Sequence, residues 1–339
     1  MKKTEQKNKR LPTGKLKESI LLRSVLRQLP TRGEALLAGP SIGEDCAILK
    51  MENELALTAN SFFFTEKGRA GDAVYHAIND LLAAGAEPMG ILLTLLLPEN
   101  FWESQLKALT SQISDVCQKE GLTVMGGHTQ VLPLVSSPIL SITGIGSKKQ
   151  TPETDISSYA DLDIVVTKWI GLEGTLILLS EKEDELNTRF SPSFLNAIRK
   201  WEPLLSIRPE ADLAKRFKTV KQHNVSEGGI FGALWEMAQA AGTGLEVDLK
   251  KIPIRQETIE LCEQYEWNPY LLNGNGSLLL YLKHGQEYVE AARQNGISAA
   301  VIGRTTAGND RIIYNEEEKR FLEPAGQDEL YQLLEPQLL

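Results

Sequence analysis

Residues 70–97, AGDAVYHAINDLLAAGAEPMGILLTLLL, decide the fold class. In the first half Ala73, Val74, Ala77, Ile78, Leu81 and Leu82 recur every three or four positions, which is one stripe of an amphipathic helix over 70–85. Gly85 and Pro88 end it. Residues 89–97 then form an apolar run of strand length, far short of the roughly 20 residues that a membrane span requires. A helix that passes through a glycine stop into a strand is the unit of an α/β or α+β domain.

Towards the N-terminus, Leu16, Ile20, Leu21, Val25, Leu26 and Leu29 predict a helix over 15–29, closed by Pro30. Strands over 46–51 and 54–58, joined by the polar Glu52-Asn53 turn, read as a hairpin leading into Asn60. Towards the C-terminus, a helix over 102–119 and strands over 122–125 and 139–145 complete a first half. The polar stretch that follows, with Pro152, makes residues 151–160 the expected linker.

Beyond the linker the pattern alternates again. Strands are expected over 162–168, near Val220, and over 245–248, 277–282, 299–303 and 311–314. Helices are expected over 171–181, 192–201, 210–217, 230–241, 257–265 and 285–294. The expected organisation is therefore a basic tail over 1–13, one α/β (α+β) domain over 14–150, and a second over 161–339.

Composition narrows the function classes. Apolar content of 42% and charged content of 24% are those of a globular chain. The net charge of -9 argues against a nucleic-acid partner or an acidic membrane surface, because both need clustered Lys and Arg. Such clustering is confined to the tail, at Lys2, Lys3, Lys7, Lys9 and Arg10, with Lys15 just after it. No apolar signal segment follows the tail, so a cytoplasmic location is expected. Cys46, Cys117 and Cys262 lie far apart and form no CxxC, which points to buried thiols and neither disulfides nor zinc.

Neither GxxxxGK[ST] nor GxGxxG occurs, so any phosphate site must be built differently. Four glycine-linked motifs supply candidates. In Gly43-Glu44-Asp45 the glycine lets backbone approach an anion while Asp45 can hold a hard cation. Asp80 interrupts an apolar helix stripe one turn after His76 and two after Asp72; it is either a metal carboxylate or the partner of His76 in an ordinary ion pair. Gly126-Gly127-His128-Thr129 follows an apolar strand, which would place His128 at a strand's carboxyl end, as a ligand or as a hydrogen-bonded structural residue. Ser226-Glu227-Gly228-Gly229 opens a helix whose free N–H groups and dipole suit an anion, or a plain N-cap at Asn224 or Ser226.

In this order the motifs resemble those of the aminoimidazole-ribonucleotide synthetase (AIR synthase, PurM-like) superfamily, over roughly residues 14–315. The residues that carry the resemblance are Ser41-Ile42-Gly43-Glu44-Asp45, Thr58-Ala59-Asn60, Asn79-Asp80-Leu81 through Gly85-Ala86-Glu87-Pro88, Gly126 to Thr129, and Asn224 to Gly229. Lys168-Trp-Ile-Gly-Leu-Glu-Gly-Thr175 and Gly232-Ala-Leu-Trp-Glu-Met237 look most like the AIR-synthase-related, HypE-like branch of hydrogenase maturation factors. The resemblance implies a homodimer whose N-terminal domains pair into a barrel and whose C-terminal domains are α/β sandwiches. It also implies ATP between the domains and magnesium held by the motif aspartates.

Carried over position by position, Asp45, Asp80 and Glu227 remain as metal carboxylates, while Asn60, His128 and Asn224 stand where the superfamily has aspartate. Gly43, Gly126, Gly127, Thr129, Ser226, Gly228 and Gly229 fall on nucleotide-binding positions. Each lost aspartate removes a charge needed to hold a divalent cation against its hydration. The chain as given ends Glu335-Pro-Gln-Leu-Leu339, without the C-terminal cysteine on which the hydrogenase maturation factor carries its reacting group, so carbamoyl chemistry of that kind is not expected. Two readings stay open: ATP-dependent phosphoryl transfer or dehydration of an unknown small substrate on a depleted magnesium site, or a catalytically inactive, dimeric nucleotide-binding or regulatory relative.

Overall fold

The structure, a computed structural model, describes residues 11, 14–15, 20, 22–30, 36–38, 48–49, 54–64, 67–149, 159–217, 219–324 and 326–334. The chain forms two compact units, Met1–Leu81 with Ala86–Gln150, and Leu82–Gly85 with Thr151–Leu339.

In the first unit the elements run β1 (Gly14–Lys15), β2 (Leu36–Ala38), β3 (Ile48–Leu49), β4 (Glu54–Phe62), α1 (Asp72–Ala83), β5 (Glu87–Leu97), α2 (Glu103–Lys119), β6 (Thr123–Val131) and β7 (Ile139–Lys148). Among the described residues, five strands form a sheet in the order β1-β6-β5-β7-β4, with β5 and β6 parallel and the other pairs antiparallel. Burial alternates along β5, with Ile91, Leu93, Leu95 and Leu97 buried and Leu92, Thr94 and Leu96 partly exposed. On the buried side α1 crosses β7 at Gly144, where an added Cβ would lie 3.1 Å from both Ala77 and Leu81.

Several expectations are corrected here. Lys15 is a strand residue paired with Gln130, while Ile20 is helical and Leu22–Leu26 form a π-type turn; residues 16–19 and 21 of the expected helix lie outside the described residues. Among the described residues the expected hairpin between 46–51 and 54–58 is not seen: Ile48–Leu49 pairs with β2, and β4 pairs with β7 from Glu54 to Phe62, while residues 46, 47 and 50–53 lie outside them. Asn60 therefore lies within a strand, and so does the Gly126 to Thr129 motif, because β6 continues to Val131. Glycine favours turns only where nothing else fixes the backbone, and here the β5 ladder fixes it. Within the span read as a tail, Leu11 is buried and its N–H donates to the Phe101 carbonyl at 3.2 Å. Most of the expected linker, residues 151–158, falls outside the described residues.

The second unit contains β8 (Asp163–Thr167), α3 (Leu172–Glu181), α4 (Glu183–Arg189), α5 (Pro192–Arg199), α6 (Arg208–Ala214), β9 (Thr219–Val225), α7 (Gly229–Ala241), β10 (Gly244–Asp248), α8 (Gln256–Gln264), β11 (Ser277–Leu282), α9 (Gly285–Gln294), β12 (Ala299–Thr306), β13 (Arg311–Asn315) and β14 (Glu318–Phe321). Its sheet has the order β14-β13-β10-β12-β8-β11-β9. The strand β11, Ser-Leu-Leu-Leu-Tyr-Leu, is buried at every position because helices cover both faces. Leu279 and Tyr281 join α7 residues Ile230, Leu234 and Met237 in one core, while Leu278, Leu280 and Leu282 join Ala211, Tyr288 and Ala292 of α6 and α9 in another. Each such side chain contributes roughly 1.5–3 kcal/mol. The sequence reading omitted α4, β14 and a 3-10 turn at Glu329–Leu333, which are short and largely polar.

No helix among the described residues is long and apolar enough to cross a membrane. Cys117 and Cys262 are buried thiols, and burial pushes each up to about 12; Cys46 lies outside the described residues.

Candidate functional site

In the first unit the candidate residues form a small cluster on the buried side of β4. Asp80 projects from α1 towards that strand, and its Oδ2 accepts Thr58 Oγ1–H at 2.9 Å and Asn60 Nδ2–H at 3.0 Å. One carboxylate oxygen thus receives two neutral donors. Asn60 presents an amide N–H where an aspartate would present a second negative charge, and an N–H does not ligate a cation. The neighbours on the α1 stripe have their own contacts: Asp72 is ion-paired with Arg69, both buried, and the His76 ring lies 5.5 Å from that of Phe62.

His128 does not join this cluster. Across the sheet, Asn60 is in register with Ile142, Leu93 and Gly127, whereas His128 is in register with Thr94, Ser141 and Ser61. Successive residues of a strand face opposite sides, so His128 lies on the outer face, exposed, with Nε2 3.3 Å from Gln130 Oε1. Thr129 is buried on the inner face. Gly127 leaves no room for a side chain, since an added Cβ would lie 1.8 Å from the Leu93 carbonyl oxygen. Gly126 is half-buried beside Leu92. Gly43 and Asp45 lie outside the described residues.

In the second unit Asn224 ends β9 and the Ser226 to Gly229 turn leads into α7. Asn224 Nδ2 donates to Asn275 Oδ1 at 3.3 Å, and Asn275 Nδ2 donates to Glu173 Oε1 at 3.3 Å. Glu173 is fully buried at the start of α3, so a carboxyl group lies two side chains away from position 224. The same loop is braced by Lys168, which adopts the left-handed φ of 53°. Its Nζ contacts Glu210 at 2.8 Å and donates to the Ser206 and Gly276 carbonyls at 2.9 and 2.8 Å. Burial lowers the Lys168 pKa while Glu210 opposes the shift. All three ammonium protons are used, which makes this lysine a brace.

The turn itself needs glycine. Gly228 and Gly229 have φ of 79° and 62°, and a Cβ on Gly229 would lie 2.5 Å from the Tyr270 carbonyl oxygen. Ser226 serves through its backbone, its carbonyl accepting from the Gly229 and Gly274 N–H groups. The Gly228 N–H is taken by Asp328 Oδ2 at 2.8 Å. Burial pushes the Asp328 carboxyl up to about 6, against the stabilising N–H groups of Leu330, Gly228 and Asn273 and with a further push from Glu227. Burial pushes the Tyr331 hydroxyl up to about 12, with further pushes from the charges of Glu227 and Asp328.

Reasoning from sequence missed Thr58 as a donor to Asp80, and missed Glu173, Asn275, Asp328 and Tyr331. Only Asp328 carried a local signal, an Asp two residues before the apolar Leu330, as at a cap. Among the described residues no group of three or more His, Cys, Asp or Glu side chains is placed to hold a metal.

Comparison with known proteins fits this geometry. Residues 43–147 match the N-terminal domain of AIR synthase related proteins and residues 161–315 match the C-terminal domain. A hydrogenase expression/formation protein of Methanocaldococcus jannaschii is 24% identical over 311 residues, covering 88% of this chain and 90% of that protein. The carbamoyl dehydratase HypE of Rhodobacter capsulatus is 23% identical over 275 residues, 78% of each chain. The crystal structure of the hydrogenase maturation protein HypE in complex with ATP superposes with a TM-score of 0.72 at 18% identity, covering 92% of this chain and 95% of that one. With both domains matched in order, the chain belongs to the AIR synthase-related protein family and is similar within it to the HypE-like proteins.

Proposed function

We propose that this protein is an ATP-binding, homodimeric member of its family that holds nucleotide without the magnesium-dependent turnover of its relatives. The observation that carries this reading is the bond from Asn60 Nδ2 to Asp80 Oδ2 at 3.0 Å. Two aspartates at that separation repel unless a cation lies between them, whereas an amide and a carboxylate satisfy each other with none. Asn224 likewise spends its amide on Asn275. A solved relative bound to ATP supports the nucleotide, and the net charge of -9 supports a small-molecule partner over nucleic acid. The outer face of the first sheet, with Leu55 and Leu57 exposed, supports the dimer.

A second reading is ATP-dependent phosphoryl transfer or dehydration of a small substrate on a single magnesium. It is favoured by the carboxylate that remains at Asp80, which is only half-buried. Calorimetry with a non-hydrolysable ATP analogue, in magnesium and in chelator, separates the two. Affinities within about threefold of each other, a difference under about 0.7 kcal/mol, are expected for the first reading. Magnesium-dependent ATP turnover that Asp80→Asn abolishes would establish the second and remove the first.

A further inference from the structure

The glycine turn that opens α7 is covered by the chain's own C-terminal segment. Asp328 Oδ2 accepts the Gly228 N–H at 2.8 Å, and Oδ1 accepts the Leu330 N–H at 3.0 Å. Asp328 is 2% exposed. Glu329 Oε1 accepts the Asn268 N–H at 3.1 Å, and Gln332 Oε1 accepts Trp267 Nε1–H at 2.9 Å. Leu330 is buried beneath them.

A terminal segment needs only its apolar residue to dock. Here three polar side chains, at 328, 329 and 332, are also hydrogen-bonded, and one of them takes a group that an incoming anion would use. That group is the Gly228 N–H, at the positive end of a 13-residue helix. Asp328 presents two oxygens to backbone donors as a phosphate would. Its burial as a carboxylate carries a desolvation cost, which plain packing of the segment does not require.

We propose that residues 326–334 form an autoinhibitory strap: docked, it closes the Ser226 to Gly229 turn to phosphate-bearing ligands, and its release opens that turn. This inference rests on the reading of the turn as part of a nucleotide site. A tethered carboxylate competes at an effective concentration on the order of millimolar, so a free polyphosphate must displace it and not merely fill a vacancy. Ligand binding and strap docking are then mutually exclusive, with reciprocal effects on each other's equilibrium.

The test uses the full chain and two probes, inorganic pyrophosphate and ATP, measured by calorimetry beside amide hydrogen exchange. Asp328→Ala combined with Tyr331→Phe should bind at least one probe about tenfold tighter than wild type. It should also lose exchange protection at Gly228, while the β8 and β11 amides stay protected. In the wild type, saturating probe should deprotect Leu330 and Tyr331. Asp328→Asn alone is the fallback if the double variant does not fold, with a gain of the same sign. A folded variant that binds neither probe more tightly overturns the strap and makes the segment a permanent brace. If the wild type binds ATP in that case, the nucleotide reading survives alone. If the variants gain affinity for pyrophosphate and none for ATP, the strap survives and the nucleotide reading falls.

Discussion

At Asn60 a single atom type decides what the first unit can do. Asp80 Oδ2 already accepts from Thr58 Oγ1 and Asn60 Nδ2, at 2.9 and 3.0 Å. Replacing the amide with a carboxylate turns one donor into an acceptor and sets two negative charges at hydrogen-bond distance. Asn60→Asp should therefore destabilise the metal-free protein by about 1–3 kcal/mol at neutral pH. A midpoint shift of about 2–4 °C per kcal/mol would report it in a thermal melt. Millimolar magnesium should return most of that loss, since a cation between the two carboxylates removes the repulsion that the variant introduces. A variant as stable as wild type in chelator would show that Asn60 does not replace a metal-dependent pair. The departure at 60 was legible in the sequence; what compensates it was not, because Thr58 meets Asp80 only once β4 lies against α1.

Helix α7 shows where glycine is a constraint and where it is only a convenience. Both of its ends carry positive φ, 62° at Gly229 and 63° at Gly242. A Cβ on Gly242 would meet nothing within 4 Å, whereas one on Gly229 would strike the Tyr270 and Leu272 carbonyl oxygens at 2.5 and 2.8 Å. Gly242→Ala should cost about 1–2 kcal/mol, the ordinary penalty for a left-handed residue. Gly229→Ala should cost upwards of about 3 kcal/mol, since backbone on both sides must shift. Denaturant titrations of the two variants measure the difference, and equal losses would mean that the 268–273 loop yields freely. Such distinctions limit what sequence alone reveals. The period of three to four residues placed α1 and α7 within two residues of their observed starts, because burying one face sets that period locally. Gly126-Gly127 was misread as the end of a strand for the opposite reason. Its strand conformation is dictated by β5, whose Leu93 carbonyl occupies the space of a Gly127 side chain, and no local rule reports that approach. The β2–β3 pairing was invisible for the same cause, since the partner of Ile48–Leu49 lies upstream and not across the nearest turn.

For the molecule as a whole, the two faces of the first sheet are unequal. The inner face buries Ile91, Leu93, Leu95 and Ile142, while the outer face leaves Leu55 and Leu57 47% and 62% exposed on the edge strand β4. Elsewhere on that outer face β5 and β7 carry Leu92, Leu96 and Ile139, each only partly buried, with Thr94 and Ser141 in the row between. Apolar side chains exposed on one face of a sheet are what a second sheet of the same kind can cover, and a two-fold axis lets one face serve both copies. Covering it with a second copy removes the leucines from water at about 25 cal/mol for each square ångström of apolar surface. Leu55→Glu with Leu57→Lys keeps the strand paired with β7, because both positions point away from the core, and places charge on the exposed leucines of that face. Sedimentation velocity should find wild type at twice the 37.5 kDa of one chain and the double variant at one, with unchanged secondary structure by circular dichroism. Nucleotide affinity, measured on the same samples, should fall with dimerisation if the pairing supports the site and hold if it does not. A wild type that sediments as a monomer, or a double variant that remains a dimer, would move the interface elsewhere and leave the exposed leucines to be covered by a different partner.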